Sequence, residues 1–280
     1  RLASFSPMDQ IDREALEHKL GLDVPVHVQY GRWIGGIFLH GTLGESLMGS
    51  IAVEDQILDR LPVTIELGFL AIVIGLLIAL PVGIYSAIRQ DTAADYVGRT
   101  AAVIGMATPN FWLALMVMIF PAIWWGWSPP MRWVSFSEDP LGNLGILIIP
   151  SVILGTAMSA STMRMTRTMM LEVLRQDYIR TAWSKGLKQR VVIIRHAIKN
   201  ALMPIVTLVG MSLPILVGGS VIIENIFNLP GLGRLMLTAL NDRDYPMVSG
   251  VNLFFGALVL ANNLVIDMIY PYLDPRVRYS

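Results

Sequence analysis

Five runs of predominantly apolar residues, at 62–88, 100–126, 144–163, 201–223 and 248–272, dominate the chain. Each has at least the ~20 residues that a helix needs to cross a bilayer core about 30 Å thick. A backbone surrounded by hydrocarbon must satisfy its own hydrogen bonds, which leaves the helix as the natural form for such runs. The composition agrees: 54% of residues are hydrophobic and 15% charged, where soluble domains average about 25% charged. The expected fold class is therefore an all-α, polytopic membrane protein. A chain of 280 residues with five spans has no room for a sizeable soluble domain, and its lack of cysteine excludes disulfides, thiolate metal sites and cysteine nucleophiles.

Orientation follows from lysine and arginine, which accumulate in cytoplasmic connections. The connection 164–199 carries nine of them (Arg164, Arg167, Arg175, Arg180, Lys185, Lys188, Arg190, Arg195 and Lys199) against two acids, Glu172 and Asp177. This places it inside, together with residues 89–99 and the tail 274–278, and places 127–143 and 224–247 outside. Residues 1–60 are then external, consistent with their five basic and nine acidic side chains. The domain division expected is an extracytoplasmic segment at 1–60 and a transmembrane domain at 61–280. An exported segment needs something to lead it across, so the further expectation is an initial transmembrane helix ahead of Arg1; the alternative is a five-span protein with its amino terminus outside.

Within the external segment, Ser6-Pro7-Met8-Asp9 combines a capping serine, a proline at the first helical position and an acid, and Gly21 closes the run, predicting a helix over 7–20. The stretch with Trp33, Gly35, Gly36, Phe38, Gly41 and Gly44 reads as a surface-lying connection. His18, His27 and His40 lack metal-ligand spacing and read as solvated or interfacial.

In the basic connection, Leu174, Tyr178 and Ala182 recur every four residues and predict one face of a short amphipathic helix. Gly186 supplies its stop, because glycine readily takes the left-handed conformation that ends helices. Charge alone leaves two readings open: a topology signal near anionic headgroups, or a docking element for a cytoplasmic partner.

Asp177-Tyr178-Ile179-Arg180-Thr181-Ala182, followed by Lys185-Gly186-Leu187 and by Arg195-His196-Ala197-Ile198-Lys199-Asn200-Ala201-Leu202-Met203-Pro204, resembles the cytoplasmic loop of permease subunits of binding-protein-dependent ABC importers, in their peptide/nickel branch. Thr181-Ala182 replaces the Glu-Ala-Ala wording of the wider family, as is typical of that branch. Further similar segments follow in order along nearly the whole chain: Leu20-Gly21-Leu22-Asp23, Arg60-Leu61-Pro62-x-Thr64-x-Glu66-Leu67, Pro109-x-Phe111-Trp112, Phe227-x-x-Pro230-Gly231-Leu232-Gly233-Arg234, Arg243-Asp244-Tyr245-Pro246 and Leu273-Asp274-Pro275-Arg276.

The resemblance implies a type I importer permease fold in a bacterial or archaeal inner (plasma) membrane. The implied partners are a second permease subunit, two cytoplasmic ATP-binding subunits or domains and an extracytoplasmic substrate-binding protein, within membrane lipid and without nucleic acid. It also implies a coupling role for Asp177, Tyr178, Arg180, Thr181, Ala182, Lys185 and Gly186, with Tyr178 and Ala182 as packing contacts, Arg180 and Lys185 as polar ones and Gly186 as the turn. The chain has no Gly-x-x-x-x-Gly-Lys-Ser/Thr phosphate loop, so no cofactor or catalytic residue is assigned to it, and ATP and Mg belong to the partner ATPase. The implied cargo is a di- or oligopeptide, with nickel and glutathione as alternatives.

Intramembrane polar residues are candidate pathway positions: Asn110, Asn262, Asn263 and Asp267, with Glu66. Each also has a plainer reading: Glu66 as an acid in the first turns of its span, Asn262 and Asn263 as interhelical glue, Asp267 as partner of a loop arginine. Glu224, Pro230, Gly231 and Gly233 mark the external loop as a gate or docking platform; the simpler reading puts Leu232 and Leu235 in the membrane interface. Prolines 81, 109, 121, 150, 204 and 214 suit broken or kinked helices. Met163, Met165, Met169 and Met170 lack His or Cys neighbours and read as adaptable core packing, with no metal assigned. A gradient-driven secondary transporter would instead need paired ionisable groups deep in the spans, and Asp267 has no evident partner in the sequence. An intramembrane enzyme would need a motif such as His-Glu-x-x-His, which is absent.

Overall fold

The computed structural model describes residues 23–49 and 51–273; the expected helix at 7–20, His18 and the tail 274–278 lie outside them. Nine α-helices of eight or more residues follow in order among the described residues. They are α1 (Val26–Gly35), α2 (Val53–Ile88), α3 (Ala93–Ala107), α4 (Asn110–Trp125), α5 (Pro140–Leu174), α6 (Asp177–Ser184), α7 (Lys199–Ile226), α8 (Leu232–Asn241) and α9 (Tyr245–Leu273). Wider π-type turns extend α1 to His40 and lead into α7 over Val192–Ile198. Four helices are long and apolar enough to cross a membrane, or five if α3 and α4 count as one broken span.

The architecture rests on α2 and α5, which run parallel and touch along a seam of small residues. Leu67, Ala71, Gly75, Ala79 and Gly83 repeat every four residues on one face of α2, and Ala71, Gly75, Ala79 and Gly83 bring its backbone against α5. A methyl group added at Gly155 would sit 2.7 Å from the Ala71 carbonyl oxygen, and one at Gly83 would sit 2.7 Å from Thr166 Cβ. Between helices in lipid, where no hydrophobic force drives association, such backbone proximity maximises dispersion contact. At the start of the pair, buried Asn143 of α5 donates to Glu66 Oε2 of α2 and to the Val134 carbonyl, each at 3.0 Å.

Three apolar clusters divide the molecule. The central one joins Leu67 and Ala71 of α2 to Leu147 and Leu154 of α5 and to Ile223 and Phe227 of the α7 end. A second gathers Val53 and Ile57 at the start of α2 with Leu232 and Leu235 of α8 and Val251 of α9. The third, at the opposite end, packs Ala87 of α2 and Met170 of α5 on Ile179 and Ala182 of α6 and on Ala197. Met163 fills the space among Ala79, Ala102 and Ala160, so the methionines Met163 and Met170 are core packing.

Several expectations are corrected. The run 100–126 is not one straight span: α3 and α4 meet at 92°. Thr108 precedes Pro109 and takes the extended conformation that a following proline imposes, which ends α3; the Pro109 carbonyl then accepts from Trp112 and Leu113 and starts α4. The other five candidate prolines, 81, 121, 150, 204 and 214, lie inside helices. Helix α2 begins at Val53 and passes through the expected 60/61 boundary without a break, because its first turns are polar and hydropathy registers only the part from Pro62. Glu66 is consequently several turns inside the helix, held by Asn143, and not at its amino terminus. Residues 164–174 of the supposed loop continue α5. The aromatic, glycine-rich stretch after Pro25 is helical as far as His40, with no buried residue, while Gly41 and Gly44 lie in the non-helical link that follows; His27 and His40 are exposed.

The seam yields a direct test. Gly155→Val forces the α2 and α5 backbones apart at an overpacking cost of about 1–3 kcal/mol. Gly145 on the same helix has open space around it. We expect Gly155→Val to lower the detergent-solubilised chain's thermal unfolding midpoint by several degrees, and Gly145→Ala to leave it unchanged or raised.

Candidate functional site

The residues singled out from the sequence separate into two places at opposite ends of α2. At the basic end, helix α6 forms as expected and stops at Gly186, whose φ of +75° is the left-handed conformation glycine accepts without strain. Its buried face is different from the one expected. Ile179 and Ala182 are fully or nearly fully buried in the third cluster, while Tyr178 is 42% exposed. The three-residue spacing of Ile179 and Ala182 selects the inward face, because α6 starts afresh at Asp177 after a break at Arg175-Gln176 and does not continue the register of Leu174. Ala182 therefore packs within this chain and cannot be an outward contact.

The exposed surface of α6 includes Tyr178 and Trp183, both more than 40% exposed, which flank the buried face on either side, about 140° apart around the helix. Around them lie Asp177 and Arg180, an exposed pair at 3.5 Å, with Thr181 and Lys185 exposed nearby. The Tyr178 hydroxyl accepts from Asn200 Nδ2 at 2.8 Å, tying the outward face to the start of α7. Trp183 was missed because it sits one position beyond the apolar repeat read from the sequence.

At the other end, Glu224 near the end of α7 is completely buried. Its Oε1 accepts from Thr64 Oγ1 of α2 at 2.8 Å, and its Oε2 accepts from the backbone N–H of Arg234 at 3.0 Å. Thr64 Oγ1 in turn accepts from the Leu232 N–H at 2.9 Å. Helix α8 begins at Gly231, which has no side chain to cap it, so its first orphan N–H groups are satisfied by side chains from two other helices. The carboxylate also lies where the helix dipole favours negative charge. A side chain at Gly231 would collide with this carboxylate and one at Gly233 with the Val221 backbone, which accounts for both glycines. Pro230 is half-buried beside them. Leu232 and Leu235 lie in the protein core and not in a membrane interface.

The remaining candidates do not join this knot. Asn262 donates to the Gly210 carbonyl at 2.9 Å, bridging α9 and α7 as interhelical glue. It also lines an apolar groove of about 280 Å³ between α2, α7 and α9, whose wall includes Leu61, Thr64, Gly68, Phe69 and Phe255. Asn110 is half-buried at the α3–α4 bend, and Asn263 and Asp267 are exposed on α9. Among the described residues there is no group of three or more His, Cys, Asp or Glu side chains that could hold a metal ion.

Asp244 was quoted above only within a motif, but it caps α9. Its Oδ1 accepts from the Met247 N–H and the Leu47 N–H, each at 3.3 Å, and its Oδ2 accepts from the Ser46 hydroxyl. The segment leading into α2 is thereby anchored to the start of α9. A polar residue just before a long apolar run is the sequence signal for such a cap.

Comparison with known proteins agrees with this geometry. Residues 79–279 match the family described as binding-protein-dependent transport system inner membrane component. A putative peptide transport system permease protein of Brucella abortus (strain 2308) is 44% identical over 267 residues, covering 95% of this chain and 85% of that protein. An oligopeptide transport system permease protein of Bacillus subtilis (strain 168) is 37% identical, covering 97% and 87%. A dipeptide transport system permease protein of Escherichia coli (strain K12) is 37% identical, covering 94% and 84%. Among solved structures, a methionine ABC transporter aligns with a TM-score of 0.63 at 17% identity over 78% of this chain and 96% of that one. An amino acid ABC transporter aligns with a TM-score of 0.60 at 15% identity over 78% and 94%. By the family match over most of its length, and by relatives that share more than a third of its residues, this chain belongs to the binding-protein-dependent transport system inner membrane components.

Proposed function

We propose that this chain is the membrane-spanning permease subunit of an ATP-driven importer of di- or oligopeptides. In this reading an extracytoplasmic binding protein delivers the peptide, and a second permease subunit completes the pathway. Two ATP-binding subunits, which hold ATP and Mg, serve the pair of permeases, and one of them docks on α6. The observation that carries the reading is the exposed surface of α6: a large aromatic side chain on each flank and a set of charged ones between them, projected from the basic connection by a helix whose Ile179 and Ala182 are locked into the chain's own core. An aromatic pair left half-exposed among charges is the composition of a protein contact. The peptide assignment is supported by the relatives' names.

Mechanically, α6 is short, packed on both α2 and α5, and tied to α7 through Tyr178 and Asn200. A push on it is delivered to three long helices at once. At the far end, α8 is fastened to α2 and α7 through the Glu224–Thr64 knot and to α2 and α9 through the second cluster. It would serve as the external gate or docking platform, moving with those two helices.

Three results test this. Tyr178→Ala combined with Trp183→Ala removes exposed side chains, so chain abundance should stay unchanged while transport in the reconstituted complex falls at least tenfold; wild-type transport would remove the docking role. Glu224→Leu strands the Arg234 N–H and the Thr64 hydroxyl, at about 1–3 kcal/mol for each buried group left unsatisfied. Glu224→Gln can still accept from Arg234 and donate to Thr64. The leucine variant should therefore lose stability and transport together and the glutamine variant retain most of both, read by thermal unfolding and peptide uptake. Purification of the tagged chain from its native membrane should recover an ATPase and a second permease; recovery of the chain alone, under conditions that preserve a known ABC complex, would overturn the importer reading.

A further inference from the structure

Asp95, the third residue of α3, is completely buried and has no part in the reading above. Its Oδ1 accepts from Arg167 Nε of α5 at 2.8 Å and from the Ser86 hydroxyl of α2. Its Oδ2 accepts from Arg167 Nη2 at 2.8 Å and from the Asp91 N–H at 3.1 Å. Arg99 Nε lies 3.5 Å from Oδ1, its guanidinium over the Tyr96 ring at 4.5 Å. A guanidinium facing a carboxylate through two parallel bonds has one geometry, so the pair sets both the spacing and the rotation of α3 against α5. Buried ion pairs add little net stability relative to apolar packing, so what this one supplies is orientation.

The pair also occupies a particular place. Arg167 lies two turns before the end of α5 and Ser86 close to the end of α2. Their neighbours Met170 and Ala87 are the residues that pack on Ile179 and Ala182 of α6. Just beyond the pair, Gly83 meets Thr166 backbone to side chain, and Met163 fills the space beside Ala102 of α3. Buried side chains, Met170 and Ala87, fill the space between the turns that carry the ion pair and α6. From α3 the chain continues through the 92° bend into α4. We propose that the Asp95–Arg167 pair is a positioning clasp that carries displacement of the coupling helix into the broken span α3–α4. The inference rests on the docking role proposed for α6.

The test uses the full chain in its reconstituted complex with the partner subunits. Because the chain has no cysteine, Val97→Cys and Thr168→Cys, at exposed positions of α3 and α5, take spin labels without a background. With the clasp intact, the label distance should be narrow and the same without nucleotide and with ATP bound. In Asp95→Asn it should broaden on ATP binding, and labelled tripeptide transported per ATP hydrolysed should fall at least tenfold while basal ATP hydrolysis stays within twofold. Arg167→Lys keeps the charge but loses the paired bonds, and should show an intermediate loss; it decides the matter if Asp95→Asn does not assemble. Transport per ATP within twofold of wild type in the assembled variants, or a nucleotide-dependent distance in the unaltered clasp, would overturn the proposal. The Tyr178→Ala, Trp183→Ala chain is measured alongside. If it uncouples and the clasp variants do not, the clasp fails alone; if it stays coupled, the docking role fails and the clasp falls with it.

Discussion

Close approach of the α2 and α5 backbones is the constraint on which the other features hang. Two parallel helices in contact along Ala71, Gly75, Ala79 and Gly83 cannot slide or rotate without a collision, because at Gly155 and Ala71 backbone faces backbone and nothing there can yield. That rigidity gives the polar groups at either end fixed positions. Thr64 and Glu66, several turns into α2, meet Glu224 and Asn143, and Ser86 near its end meets Asp95, which also holds Arg167. The side-chain hydrogen bonds that α2 makes to other helices lie towards the two ends of the seam, an order that suits a membrane, where buried polar groups without partners are costly.

The two ends differ in how their helices are held. At the α8 end, a ten-residue helix is capped by side chains borrowed from α2 and α7, and a single carboxylate serves both. At the α6 end, an eight-residue helix is held by apolar contacts on one side and leaves aromatic and charged side chains on the other. A short helix is marginal alone in water, and each of these takes its stability from the long helices it packs on. Each consequently reports, or imposes, their positions, which is the physical basis for assigning the coupling and gating roles to these two elements. Helix α9 contributes differently: only 11% of its apolar window is buried, so most of its surface is left to lipid or to other chains.

The all-α class and the existence of five apolar runs were legible in the sequence, because hydropathy over twenty residues is a local property. The α6 helix and its stop at Gly186 were legible for the same reason, and the motif resemblance led to the family that the comparisons establish. The break at Pro109 was signalled only as one proline among six, since a proline can lie in a helix or end it according to what satisfies the neighbouring backbone. The inward face of α6 was misread because it is set by where the preceding helix ends, not by spacing within the segment.

What the sequence by itself determined is which runs are apolar enough to span a membrane, which connection is basic and that a short helix in it stops at Gly186; these depend on residues close together along the chain. What only the tertiary structure decided is which polar groups meet. Glu224 lies 160 positions from Thr64, and Asp95 lies 72 from Arg167. Such pairs form because the small-residue seam brings distant turns to the same depth, and spacing along a single chain carries no record of that depth until the helices are packed.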